Sequence, residues 1–201
     1  MATTEPETPV EIRVAVRRPE RANARRNFDA LLDAAREVFA TDGANASLEE
    51  IARRAGVGIG TLYRNFPTRR HLFETVYLDE VDALARVADE LADHDPWDAL
   101  VIWLRRFVGY ATTKKAIYEA LNHEEPMFLT CRELVHCAGG PLLKRAQDAG
   151  KARTDVSFVD VRCLINGISG SNFADDAQRE RVLAMALDGI KAQACKPDWQ
   201  Q

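Results

Sequence analysis

Between Gly58 and Arg69 the chain reads GIGTLYRNFPTR, and six of these side chains, Thr61, Tyr63, Arg64, Asn65, Thr68 and Arg69, are hydrogen-bonding groups. Hydroxyls, an amide and guanidinium groups at this density suit contact with phosphate oxygens and base edges. Ile59 and the Thr61 methyl can touch thymine methyls, and Gly58 and Gly60 allow the backbone to approach closely. Ser47 adds a further hydroxyl, which can serve as a helix cap or as a phosphate contact. Arg25 and Arg26 lie within a basic run, Arg17, Arg18, Arg21, Arg25 and Arg26, that precedes the first apolar helical stripe. A basic arm in front of a helical reading unit can reach phosphates or the minor groove.

Short helices must hold these groups in place. Phe28, Leu31, Leu32, Ala35, Val38 and Phe39 recur at steps of three and four and predict a helix from about Arg25 to Thr41, stopped at Asp42-Gly43. Ser47 and Glu50 have the S-x-x-E spacing of a capping box, opening a second helix with Leu48, Ile51, Ala52 and Ala55 inward. Ala55-Gly56-Val57 is a tight turn, and a third helix from Gly58 to Phe66 buries Leu62 and Phe66 while leaving the hydrogen-bonding residues outward. Two short helices around a glycine turn have the pattern of a helix-turn-helix.

The run from Phe28 to Leu72, with LLDAAREVFATDG, SLEEIARRAGVGIGTLYRNF and PTRRHLF in that order, resembles the N-terminal DNA-binding domain of the TetR family of bacterial transcriptional repressors. The resemblance implies an all-α homodimer that binds a palindromic operator in double-stranded DNA and is released by a small molecule bound in the C-terminal domain. The alternative is a sequence-specific DNA-binding protein without small-molecule control. Two positions depart from the family pattern. Gly58 replaces a frequent Ser or Thr at the start of the recognition helix, and Asn65 replaces a frequent His.

The remaining chain continues in helical periods with no period-two stretch, so the fold class is all-α. A long helix from Thr68 carries Leu72, Phe73, Val76, Tyr77, Val81, Leu84, Val87 and Leu91. Asp95-Pro96 opens the next, a helix from Leu129 to Gln147 is expected to break or kink at Gly139-Gly140-Pro141, and two more run over 156–173 and 175–194. The wide apolar stripes of the last two predict a homodimer interface, with packing inside one subunit as the competing role. Trp103, Phe107, Tyr110, Tyr118, Met127, Phe128, Cys131 and His136 are the candidate effector-binding residues, with packing in the core as the competing role. The expected division is a basic, disordered arm at 1–24, a helix-turn-helix domain at 25–72 and a helical regulatory and dimerisation domain at 73–201.

Charge supports the division. Residues 17–70 hold eleven Arg against seven acidic residues, whereas residues 71–201 hold fifteen Lys and Arg against twenty-one acids, within a chain of net charge −4. No signal-like start and no spanning apolar run point to a cytoplasmic protein with no membrane partner. The four cysteines are widely spaced and are expected to be reduced thiols. Cys131, His136 and Cys137 match no standard zinc spacing, and the sequence holds no phosphate loop, nucleophile elbow or metalloprotease motif. Catalytic residues, metals and cofactors are therefore not expected.

Overall fold

The computed structural model describes residues 17–120 and 126–192, with the side chains of 44 and 112–127 outside the description. Eight α-helices account for the described architecture: α1 (Ala22–Asp42), α2 (Leu48–Arg54), α3 (Ile59–Asn65), α4 (Arg69–Glu90), α5 (Pro96–Ala120), α6 (Pro126–Asp148), α7 (Phe158–Ser169) and α8 (Asp176–Ile190), with a 3-10 turn at Gly43–Asn45. No strand occurs among the described residues; Ala152 and Lys191 form a single isolated bridge.

Local chemistry sets most of the helix ends. Gly43 ends α1 at φ +57°, donating its N–H to Phe39 O, a backbone form that costs glycine little. Gly56, at φ +68°, ends α2 in a Schellman arrangement: Val57 N–H donates to Ala52 O at 3.0 Å and Gly56 N–H to Arg53 O at 3.1 Å. Ser47 caps α2 by accepting from Glu50 N–H at 3.2 Å. The expected capping box is only half made, because the Glu50 carboxylate turns to Arg53 and Arg54. Three charge-assisted hydrogen bonds, two from Arg53 and one from Arg54, outcompete one to a backbone N–H, and they hold the Glu50 carboxyl at about 2, the Arg53 contact contributing most. A full capping box forms instead at Ser157 and Asp160, opening α7. Asp95 accepts from Trp97 N–H and Asp98 N–H at the start of α5.

Phe28, Leu32, Val38, Phe39, Ile51, Leu62 and Phe66 are buried together as the core of the first three helices, with Phe28 and Phe66 ring centroids 5.0 Å apart. The same core continues into the body. Phe39 of α1 stacks on Phe73 of α4 at 4.2 Å and 9°. Further along, α4 packs against α5 and α6, and α5 also packs against α1 and the 3-10 turn.

Of the break or kink expected at Gly139-Gly140-Pro141, the break does not occur: α6 keeps its helical form through Pro141. Val135, Leu142, Leu143 and Ala146 are buried on either side of the proline, so tertiary packing outweighs its missing hydrogen bond. Gly140, lacking a Cβ, also relieves the clash that disfavours helical backbone before proline. Gly139 has a separate role. A Cβ there would lie 2.3 Å from Phe158 Cζ and 2.6 Å from Trp103 Cη2. Gly139→Ala is expected to lower stability by about 1–2 kcal/mol net of its better helix propensity, because two buried rings must move. Chemical denaturation monitored by far-ultraviolet circular dichroism measures this loss.

Candidate nucleic-acid interface

The α3 helix is seven residues long and is placed by two buried side chains, Leu62 and Phe66. With that face inward, Ile59 and Tyr63 are turned to solvent at 38% and 47% exposure. Gly58, Gly60 and Arg64 are also exposed, while Thr61 and Asn65 are half-buried. Gly58 is the N-cap and brings no capping side chain. The polar groups are held by one another: Arg64 Nη2 donates to Thr61 Oγ1 at 2.9 Å, and Asn65 Nδ2 donates to Thr61 O at 2.8 Å. Thr61 thus sits at the centre of a preset hydrogen-bonding surface flanked by an apolar Ile59 and a phenol.

The outer side of α3 faces the start of α1. Arg21, Asn23, Ala24 and Asn27 line one wall of a cleft of about 650 Å³, and Thr61, Arg64 and Asn65 line the other. Among the described residues no acidic side chain of the first turn and no capping side chain offsets the positive end of α1. Arg25 and Arg26 are exposed beside the cleft, Arg26 donating to Asn23. Asn23 and Asn27 escaped the sequence reading. Their i, i+4 spacing on the turn that leads to Phe28 is the signal that places them on one face.

Thr68 and Ser47 serve as caps in the structure, Thr68 accepting from His71 N–H at 3.1 Å and Ser47 from Glu50 N–H. The Thr68 side is exposed and the Ser47 side half-buried. Arg69 is oriented differently from the exposed phosphate contact expected of it. Its Nη1 donates to Ala46 O at 2.5 Å, and its guanidinium lies 5.1 Å from the centre of the Phe73 ring. It fastens the approach to α2 onto α4. Arg18 is also drawn away from the arm role. Its Nε pairs with Asp29 at 2.8 Å and its Nη2 with Asp79 of α4 at 2.6 Å. The α1 helix starts at Ala22, inside the segment expected to be a disordered arm.

The candidate effector residues are brought together in the body, but largely against one another. Trp103, Phe107, Tyr110, Phe128 and Cys131 are buried. Trp103 stacks on Phe107 at 5.4 Å and Phe107 on Tyr110 at 5.5 Å, while the Tyr110 hydroxyl donates to or accepts from that of Tyr77 at 2.9 Å. Burial pushes the Tyr110 phenol well above its usual value, and neighbouring Tyr77 adds to this. Trp103 Nε1 donates to Leu84 O at 2.9 Å. His136 is exposed, its ring edge-on to Phe158 at 5.3 Å. Tyr118 and Met127 lie outside the described side chains. Among the described residues no group of three or more His, Cys, Asp or Glu is arranged to hold a metal ion, and no helix is long and apolar enough to cross a membrane.

Two family descriptions match this chain: bacterial regulatory proteins of the tetR family over residues 31–76, and the C-terminal domain of SbtR-like transcriptional regulators over residues 95–192. Among solved structures, it is similar to a TetR transcriptional regulator from Streptomyces coelicolor at 40% identity and a TM-score of 0.72, covering 83% of this chain and 99% of the other. A TetR transcription regulatory protein from Mycobacterium vanbaalenii is 32% identical, with a TM-score of 0.67 and coverage of 86% and 99%. An HTH-type transcriptional regulator from Staphylococcus aureus is 25% identical over 105 residues, which are 51% of this chain and 57% of that protein. The chain thus spans little more than half the length of its curated relatives but almost all of the two solved ones. With α3 exposed beside the open end of α1 and the helical body joined through α4, the chain belongs to the TetR family of DNA-binding transcriptional regulators.

Proposed function

We propose that this regulator is a homodimeric repressor that binds a palindromic operator through α3 and the start of α1 and is released by a small molecule. The observation that carries the reading is the preset surface of α3: Ile59, Thr61, Tyr63, Arg64 and Asn65 face outward on a helix short enough to enter a major groove end first. Gly58 and Gly60 let the backbone come close to base edges. Arg25, Arg26 and Thr68 flank this surface and supply phosphate contacts, and Ser47 adds a half-buried hydroxyl beside it. Arg69 contributes by fixing the headpiece, with any phosphate contact secondary to that. Residues 25–72 form the reading unit, and residues 73–201 regulate and pair it. DNA in the bacterial cell places the protein in the cytoplasm.

Pairing through α7 and α8 is supported by their outer faces. Val159 and Leu164 on α7 and Met185 on α8 are 43%, 42% and 72% exposed, and Cys163, Gly167, Ala184 and Gly189 beside them are exposed as well. The opposite faces of both helices, with Val161, Ile165, Ile168, Leu183 and Leu187, are already buried within the subunit. Small residues between large apolar ones permit close helix approach across a two-fold axis. The double substitution Leu164→Glu and Met185→Glu is expected to shift the dimer to monomer by at least tenfold in dissociation constant while helix content is kept. Sedimentation velocity reads both species, and an unchanged dimer would move the interface elsewhere.

Release by a small molecule rests on the aromatic and thiol cluster of the body. One observation favours the second reading, a DNA-binding regulator without small-molecule control: Trp103, Phe107 and Tyr110 fill the space beside one another. Effector binding would then require these rings to part. Selection of bound fragments from random-sequence DNA tests the operator reading, with a palindrome as the expected product and a single unpaired half-site as the contrary one. Thr61→Ala is expected to alter the selected sequence at one position per half-site, worth about 1–3 kcal/mol of discrimination. Arg64→Ala is expected to weaken binding to all sequences and to reduce the salt slope by about 0.9 if it meets a single phosphate.

A further inference from the structure

Two carboxylates of α4, away from the recognition surface, are both buried and ion-paired. Asp79 and Glu80 are buried to 2% and 4% exposure. Arg36 of α1 reaches both carboxylates, Nη2 to Asp79 and Nε to Glu80, and Arg106 of α5 stands 4.0 Å from Glu80. Arg18 reaches the same Asp79 from the segment before α1 and takes Asp29 as its second partner.

The position of Arg18 is informative. Asp29 lies about two turns into α1, whereas the cleft beside α3 is lined by the first turns, Arg21 to Asn27. Residues 17–21 are therefore folded back along that helix, and the Arg18 guanidinium is spent on protein carboxylates instead of facing the DNA side. The arrangement also makes departure possible. Asp79 has two arginines, so if Arg18 leaves, Arg36, which it shares with Glu80, still pairs the buried carboxylate, and Arg106 stands beside Glu80. Asp29, at 44% side-chain exposure, returns to water.

We propose that Asp29 and Asp79 form an autoinhibitory latch that withholds Arg18 from DNA, and that phosphate competes with these carboxylates for the arm. Free protein keeps Arg18 docked on α1 and α4. On DNA the two carboxylates retain Arg18 in most complexes of the unsubstituted protein; where phosphate wins, Arg18 meets it, and its tie to α4 is lost while that between α1 and α4 remains.

The test is a set of salt titrations of the full chain on a duplex of random sequence. Asp29→Asn loosens Arg18 without disturbing Asp79 or Arg36. It is expected to steepen the plot of log affinity against log salt by up to about 0.9, the value of one further phosphate contact on B-DNA. In the Arg18→Gln background the same substitution is expected to leave the slope unchanged, because the group it frees is gone. Asp33→Asn, which removes an equally charged but more exposed acid paired to Arg36, serves as the charge control and is expected to change affinity with little change in slope. The proposal is overturned if Asp29→Asn leaves the slope unchanged, if it steepens the slope equally without Arg18, or if Asp33→Asn reproduces it. Absence of DNA binding by the unsubstituted protein would instead overturn the DNA-binding reading itself, so the two failures are distinct.

Discussion

The stack of Phe39 on Phe73 joins reading unit and body. It places an α1 ring face to face with an α4 ring, and Arg69 covers Phe73 while holding Ala46 O. Since a single buried core runs from Phe28 to Ile190, no apolar boundary divides the headpiece from the rest. A close-packed contact of this kind does not deform gradually. Any change in the direction of α4 must carry α1 with it or break the stack, and the orientation of α3 follows through Phe28 and Phe66.

Charges reinforce the same junction by a different kind of energy. A buried carboxylate left without a partner costs several kcal/mol, which makes the pairs of Arg36 with Asp79 and Glu80 intolerant of separation. Arg36 therefore fixes the register of α1 on α4. On the same turn of α4, Tyr77 holds the Tyr110 hydroxyl in the body core. Glu80 also acts electrostatically on Tyr110. The stretch from Tyr77 to Glu80 thus connects the aromatic core of the body to the headpiece.

Much of this was legible in the sequence because helical period and cap residues are local. The apolar stripe from Phe28 to Phe39, the Gly56 turn, the outward set on α3 and the Asp95-Pro96 start all follow from spacings of four residues or fewer. What escaped depended on distant partners. Arg18 reads as one cation in a basic run, and only the fold brings it to Asp79, sixty-one positions away. Arg69 reads as exposed until Ala46 O and Phe73 are placed beside it. Pro141 reads as a helix breaker because the burial of Leu142, Leu143 and Ala146 is not visible in the local pattern. The aromatic cluster was found as a set, but its mutual stacking, which bears directly on how an effector would enter, is a property of the packed body alone.

Hydrogen exchange of the full chain with and without duplex DNA tests the central claim most directly, since it locates the reading surface without assuming an operator. Added protection concentrated at residues 21–27 and 58–69, with the α8 amides unchanged, is the predicted result. Protection confined to the body, or none at saturating DNA and low salt, would contradict the assignment of α3 and the start of α1 as the DNA-reading surface.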